Sequence, residues 1–113
     1  MNNFKSIGTS SISASAATPT TIYTANNGAP VNSVLLQADV ANTGAARMTV
    51  TLLFVDSDAG ATYHIIKDAE VPVGGTVQIV NGQKIVLNGD DQIQVYGSDT
   101  TADVILSFIE DVP

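Results

Sequence analysis

Apolar and polar residues alternate along most of this chain with the period of two that marks half-buried β-strands. Ser33 to Ala41 (SVLLQADVA) places Val34, Leu36, Ala38 and Val40 on one face and Gln37 and Asp39 on the other. Arg47 to Asp56 (RMTVTLLFVD) is the longest such run, with Met48, Val50, Leu52 and Phe54 sharing a face. Its second face carries Thr49, Thr51, Leu53 and Val55 and turns apolar toward the end. That end is expected to be covered on both sides. Ala61 to Lys67 sets Tyr63 and Ile65 against His64 and Ile66. Asp103 to Ile109 aligns Val104, Leu106 and Phe108, and Thr20 to Thr24 (TTIYT) is a short β-rich run. No stretch carries a helical period.

Glu70 to Gly97 reads as three further strands, at Thr76 to Val80, Lys84 to Leu87 and Asp91 to Tyr96. Asn81-Gly82 stands between the first two and Asn88-Gly89 between the last two. An Asn-Gly pair between apolar runs is a strong hairpin signal, because a type I′ turn needs positive φ at both central residues. The segment is therefore expected to be an antiparallel meander. The expected core is Ile22, Val34, Leu36, Val40, Met48, Val50, Leu52, Phe54, Ile65, Val77, Ile79, Ile85, Leu87, Ile93, Val95, Val104, Leu106 and Phe108.

About eight short strands separated by glycine-rich turns predict an all-β chain folded as a single β-sandwich. Jelly-roll and immunoglobulin-like strand orders both remain open. The sandwich domain is expected over residues 20–113, with a turn at Ala25 to Pro30 (ANNGAP). Residues 1–19 are rich in Ser, Thr and Ala and show no sustained period. They read as an extended N-terminal arm, dispensable for folding, with Phe4, Ile7 and Ile12 as its anchors on a neighbouring subunit.

Composition narrows the function. A chain of 113 residues suits one domain. Eleven acids stand against four bases, for a net charge of -7, which disfavours binding to nucleic acid through its phosphates. No apolar run is long enough to cross a membrane as a helix. The N-terminus has no apolar core of the signal-peptide kind, so synthesis in the cytoplasm is expected. There are no cysteines, hence no thiol or disulfide chemistry. Only 13% of residues are charged, which suits a surface shared with other subunits.

Candidate chemistry is sparse. The single histidine, His64, sits mid-strand with no flagged nucleophile, so no catalytic residues are expected. Asp56 and Asp58 in the DSDAG turn are the weak candidates for a cation site. The EF-hand spacing fails there, because Lys67 stands where the closing Glu would be. NGDD at Asn88 to Asp91 reads as a turn first. No glycine loop of the phosphate-cradling kind occurs, and no cofactor is expected. With no Trp, a sugar platform would have to use Tyr23, Tyr63 and Tyr96.

Several segments resemble small virion structural proteins of tailed bacteriophages, of the capsid decoration or cement kind. They are Thr21 to Ala25 (TIYTA), Val55 to Ser57 (VDS), Tyr63 to Gly74 (YHIIKDAEVPVG), Lys84 to Val95 (KIVLNGDDQIQV) and Ser107 to Glu110 (SFIE). The likeness covers about residues 20–112. Asn88 departs from it, standing where an acidic or small residue is frequent. The resemblance implies a β-sandwich with no catalytic role. It places the protein on the capsid exterior of a virion, bound to the major capsid protein and to itself as a homotrimer. A tail, baseplate or neck adaptor is the second place it implies. A carbohydrate-binding module for host attachment is a third reading, which the residues alone leave open.

Overall fold

The computed structural model describes residues 3–25 and 32–112. It contains β1 (Asn3–Thr9), β2 (Thr20–Thr24), β3 (Asn32–Asn42), β4 (Met48–Asp56), β5 (Ala61–Val71), β6 (Thr76–Leu87), β7 (Gln92–Gly97) and β8 (Ala102–Val112). The strands form two four-stranded sheets, in the orders β1-β8-β3-β6 and β2-β7-β4-β5. Every pairing within them is antiparallel. The chain is thus the β-sandwich that its alternation predicts. The expected ANNGAP turn lies largely outside the described residues.

The strand order decides between the two architectures. Successive strands fall in opposite sheets, except that β4 and β5 are neighbours in one sheet. That order is a jelly roll, two Greek keys wrapped over one core. The sole hairpin among the described strands is β4–β5, closed by the DSDAG turn. There Asp56 Oδ1 accepts the backbone N–H groups of Asp58 (3.1 Å) and Ala59 (3.3 Å), and Gly60 takes the positive φ.

The meander does not form. Asn81-Gly82 lies inside β6, which runs on beside β3 as one strand. Leu35 pairs with Ile85 and Gln37 with Asn81, so the excess residues form a bulge. The β3 edge offers partners on both sides of the pair, and that ladder overrides the local turn preference. Asn88-Gly89 makes a turn, closed by the Asp91 N–H on the Asn88 carbonyl at 3.1 Å. It carries the chain across the sandwich from β6 to β7 instead of joining neighbours, and Asp90 takes the positive φ.

A bulge also shifts the phase of β3. Its register slips between Leu35 and Gln37 against both β6 and β8. Ser33 and Leu35 therefore face the core before the slip, and Ala38, Val40 and Asn42 after it. Val34 and Leu36, expected inside, are half-buried and outside the core cluster. Ten expected core residues are buried: Val40, Met48, Val50, Leu52, Leu87, Ile93, Val95, Val104, Leu106 and Phe108. Ile22, Phe54, Ile65, Val77, Ile79 and Ile85 pack against them from partly exposed positions. Each fully buried large apolar side chain contributes about 1.5–3 kcal/mol.

The described part of the expected arm, residues 3–19, is not free. β1 lies along β8 from Asn3–Glu110 to Thr9–Val104 without a register slip. Ile12 is 3% exposed, within the core cluster. Its N–H donates to the Thr100 carbonyl at 3.2 Å, and the Gly97 N–H donates to the Ser13 carbonyl at 2.9 Å. Strand β1 covers a sheet edge that would otherwise show unpaired backbone groups, and Ile12 fills a gap above Gly97, where only hydrogen leaves room.

Candidate functional site

Of the two acids proposed for a cation, only Asp56 has a carboxylate engaged in its turn. Asp56 caps its own turn through Oδ1, and Asp58 is exposed. Asp91, 1% exposed, is the acid that organises this end of the sandwich. Its Oδ1 accepts the N–H (3.0 Å) and hydroxyl (3.1 Å) of Ser57, and its Oδ2 accepts the Asn88 N–H (2.9 Å). One carboxylate thus ties the β4–β5 turn to the β6–β7 crossing. Among the described residues no three acids or histidines gather as a metal site.

The remaining candidates are dispersed. His64 is exposed on β5, opposite Leu53. Tyr63 stacks on Phe54 at 6.4 Å between ring centres. Phe54 pairs with the buried Ile93, whereas Tyr96 pairs with Thr51 on the other face of that sheet. Tyr23 is buried. The tyrosines therefore share no face on which a sugar could stack.

Tyr23 belongs to a buried polar chain. Its hydroxyl donates to Glu110 Oε2 at 2.6 Å, and Ser33 Oγ lies 2.8 Å from that hydroxyl. Its ring sits 4.1 Å from that of Phe108. Lys5 Nζ approaches Glu110 Oε1 at 3.7 Å from a half-exposed position, so the ion pair adds little. The network joins β1, β2, β3 and β8 across both sheets. Tyr23→Phe is expected to lower the unfolding free energy by about 1–3 kcal/mol, because it removes a donor from a buried carboxylate. Urea denaturation of the two proteins checks this, and an unchanged midpoint would show the hydroxyl to be idle.

The anchors of the expected arm part company. Ile12 is in the core, Ile7 is half-buried against it, and Phe4 is 79% exposed. Phe4 stands on the outer face of the β1-β8-β3-β6 sheet. There it pairs with Ile109, Ile109 with Val34, and Val34 with Val86. The register so lays one apolar row across all the strands of this sheet, roughly 14 Å at usual strand spacing. Val86 at its far end is 54% exposed. The next row holds Ser6, Ser107 and Gln37, and beyond it Ile105 is 52% exposed. Apolar side chains aligned on an outer sheet face, exposed at both ends of the row, make this face the candidate surface.

No protein-family model matches the chain, and no curated protein matches it by sequence. Solved structures with a similar fold include the following two. A chain of the disulfide-linked pili that form Bacillus endospore appendages is 13% identical, with a TM-score of 0.51. The alignment covers 100% of this chain and 88% of the pilus chain. A chain of the T13 particle of infectious bursal disease virus is 13% identical, with a TM-score of 0.54. Here 98% of this chain aligns, but it spans only 36% of the viral chain. At such identity the likeness is one of fold.

Val34, Val86, Ile105 and Ile109 were not among the expected site residues. A signal for them exists. The runs KIVL and DVILSFI are apolar on both faces, and a strand of that kind is covered twice. What the runs do not show is that both lie in one sheet, in register with Phe4.

Proposed function

We propose that this protein is a non-catalytic structural subunit of a virion, a decoration protein on the capsid exterior. The outer face of the β1-β8-β3-β6 sheet would rest on the major capsid protein. The observation that carries this reading is the outer-face row Phe4, Ile109, Val34 and Val86, half-buried at its middle and exposed at both ends. The body beneath it is held by its own turns and core, and Asp56 and Asp91 are occupied in tying turns. Fold likeness to a viral particle chain supports the reading, and so does the resemblance of its segments to phage virion proteins. Apolar seating on a lattice stabilises the lattice, because the module binds only the assembled state.

The whole-chain likeness to a pilus chain favours a filament subunit as the second reading. Such a filament could not be linked by disulfides of this chain, which has no cysteine. Counting copies per purified particle against the major capsid protein separates the cases. Near-stoichiometric copies support decoration, and a handful places the protein in the tail or neck. Absence from particles ends the virion reading.

Val86→Asp tests the face itself. The position is exposed, so the fold should melt unchanged, while particle occupancy should fall at least about tenfold, since a charge would be buried against an apolar partner. Undiminished occupancy would remove this face from the contact.

A further inference from the structure

The sandwich has an edge that is not guarded. Sheet edges are open templates for another strand, and proteins blunt them with bulges and charges. Three of the outer strands here are interrupted. β2 slips between Thr21 and Tyr23, β5 bulges at Asp68 with φ 52, and β6 slips twice against β3. β1 does not. It pairs with β8 over seven residues in one register and is the end strand of its sheet. Its sole charge, Lys5, is turned to Glu110.

Two further features lie on this strand. Phe4 leaves most of its ring in solvent. Gly8 has no need of glycine for its own fold: its φ is not positive, and a Cβ there would meet only the Val104 carbonyl, at 3.9 Å. Beside it is a shallow cavity of about 280 Å³, lined by Gly8, Thr9, Ser10, Asp103, Val104 and Ile105.

We propose that β1 is a self-complementary docking edge, at which two copies of this chain join antiparallel about a two-fold axis through Ser6. Centred there, Phe4 of one copy stands opposite Gly8 of the other, and the relation is reciprocal. Each exposed ring lies over the partner's glycine and its cavity, the pairing by which an aromatic residue compensates an edge glycine. Lys5 stands opposite Ile7, so no like charges face each other. A contact in which residue i meets j and j meets i is what a two-fold interface requires. The axis is perpendicular to the sheet, so the two four-stranded sheets become one and both outer faces point the same way. The dimer doubles the apolar face, in place of the trimer that the resemblance implies.

The test uses the full purified chain. Sedimentation should show a concentration-dependent dimer. Gly8→Val should keep or raise the melting temperature, because a β-branched residue suits a strand. It should also weaken dimerisation at least tenfold by filling the ring's seat. Phe4→Ala should weaken it likewise. With no native cysteine, Ser6→Cys should oxidise to a covalent dimer, since directly opposed strand residues lie within disulfide reach. Thr9→Cys should not, because the two thiols would be roughly 20 Å apart. A monomer at all concentrations overturns the proposal. So does a dimer that Gly8→Val leaves intact, or one that Thr9→Cys captures and Ser6→Cys does not. These readings are made without particles, so they fail or succeed apart from the placement on a capsid.

Discussion

Removal of residues 1–19 is expected to leave this chain insoluble, or to lower its melting temperature by more than about 10 °C. The segment contributes at two places. Ile12 is 3% exposed and sits in the core cluster beside Gly97 and Met48. Truncating such a residue to alanine alone costs about 2–5 kcal/mol. β1 then adds its ladder on β8 and the partial burial of Ile7. Without it, β8 becomes a bare edge next to Leu106 and Phe108. A domain of this size holds about 5–15 kcal/mol in all, so the combined loss consumes much of the margin. Circular dichroism of the truncated chain, with Ile12→Ala as the milder variant, measures it. A soluble truncation with a native melt would show that the segment is a separable arm after all.

Asp91→Ala is expected to cost roughly 3 kcal/mol, the largest loss from any single polar residue described here. Its carboxylate accepts from Ser57 N, Ser57 Oγ and Asn88 N at 3.0, 3.1 and 2.9 Å. Its backbone adds two bonds, as donor to Asn88 and as acceptor from Ala25 at 2.8 Å. Hydrogen bonds to a charged acceptor are worth about twice neutral ones, and alanine would leave the Ser57 and Asn88 backbone N–H groups without this acceptor, while the Ser57 hydroxyl keeps the Gly89 carbonyl at 3.0 Å. Asp91→Asn keeps one oxygen and should lose less, about 1–2 kcal/mol. Asp58→Ala, on the exposed turn, should stay within about 0.5 kcal/mol of the parent. Denaturant midpoints of the three variants rank them. Equal losses at Asp58 and Asp91 would contradict the lock.

These three acids show how far a linear reading reaches. Asp56, Asp58 and Asp91 look alike in sequence, each in a polar segment within four residues of a glycine. Burial separates them, and burial follows from the β4–β5 turn meeting the β6–β7 crossing. Likewise Phe4, Ile7 and Ile12 look like three equal apolar residues in a Ser-rich segment. One is core, one packs against the core and one faces solvent. An edge strand is covered on one side only, so its alternation is weak and Ser, Gly and Thr are tolerated at its positions.

The sequence by itself determined that this is an all-β sandwich without helices. A period of two is a property of the strand itself, whatever its partner. It also placed β2 at Thr20–Thr24 and the hairpin turn after Asp56, since both rest on local chemistry. Only the tertiary structure decided which sheet each strand joins, because alternation is the same in either. It decided the phase of β3, since one bulged residue exchanges the two faces. It overruled Asn81-Gly82, where ladder bonds to β3 on both sides outweigh a turn preference. And it assembled Phe4, Ile109, Val34 and Val86 into one row, because cross-strand register brings together residues that are distant along the chain.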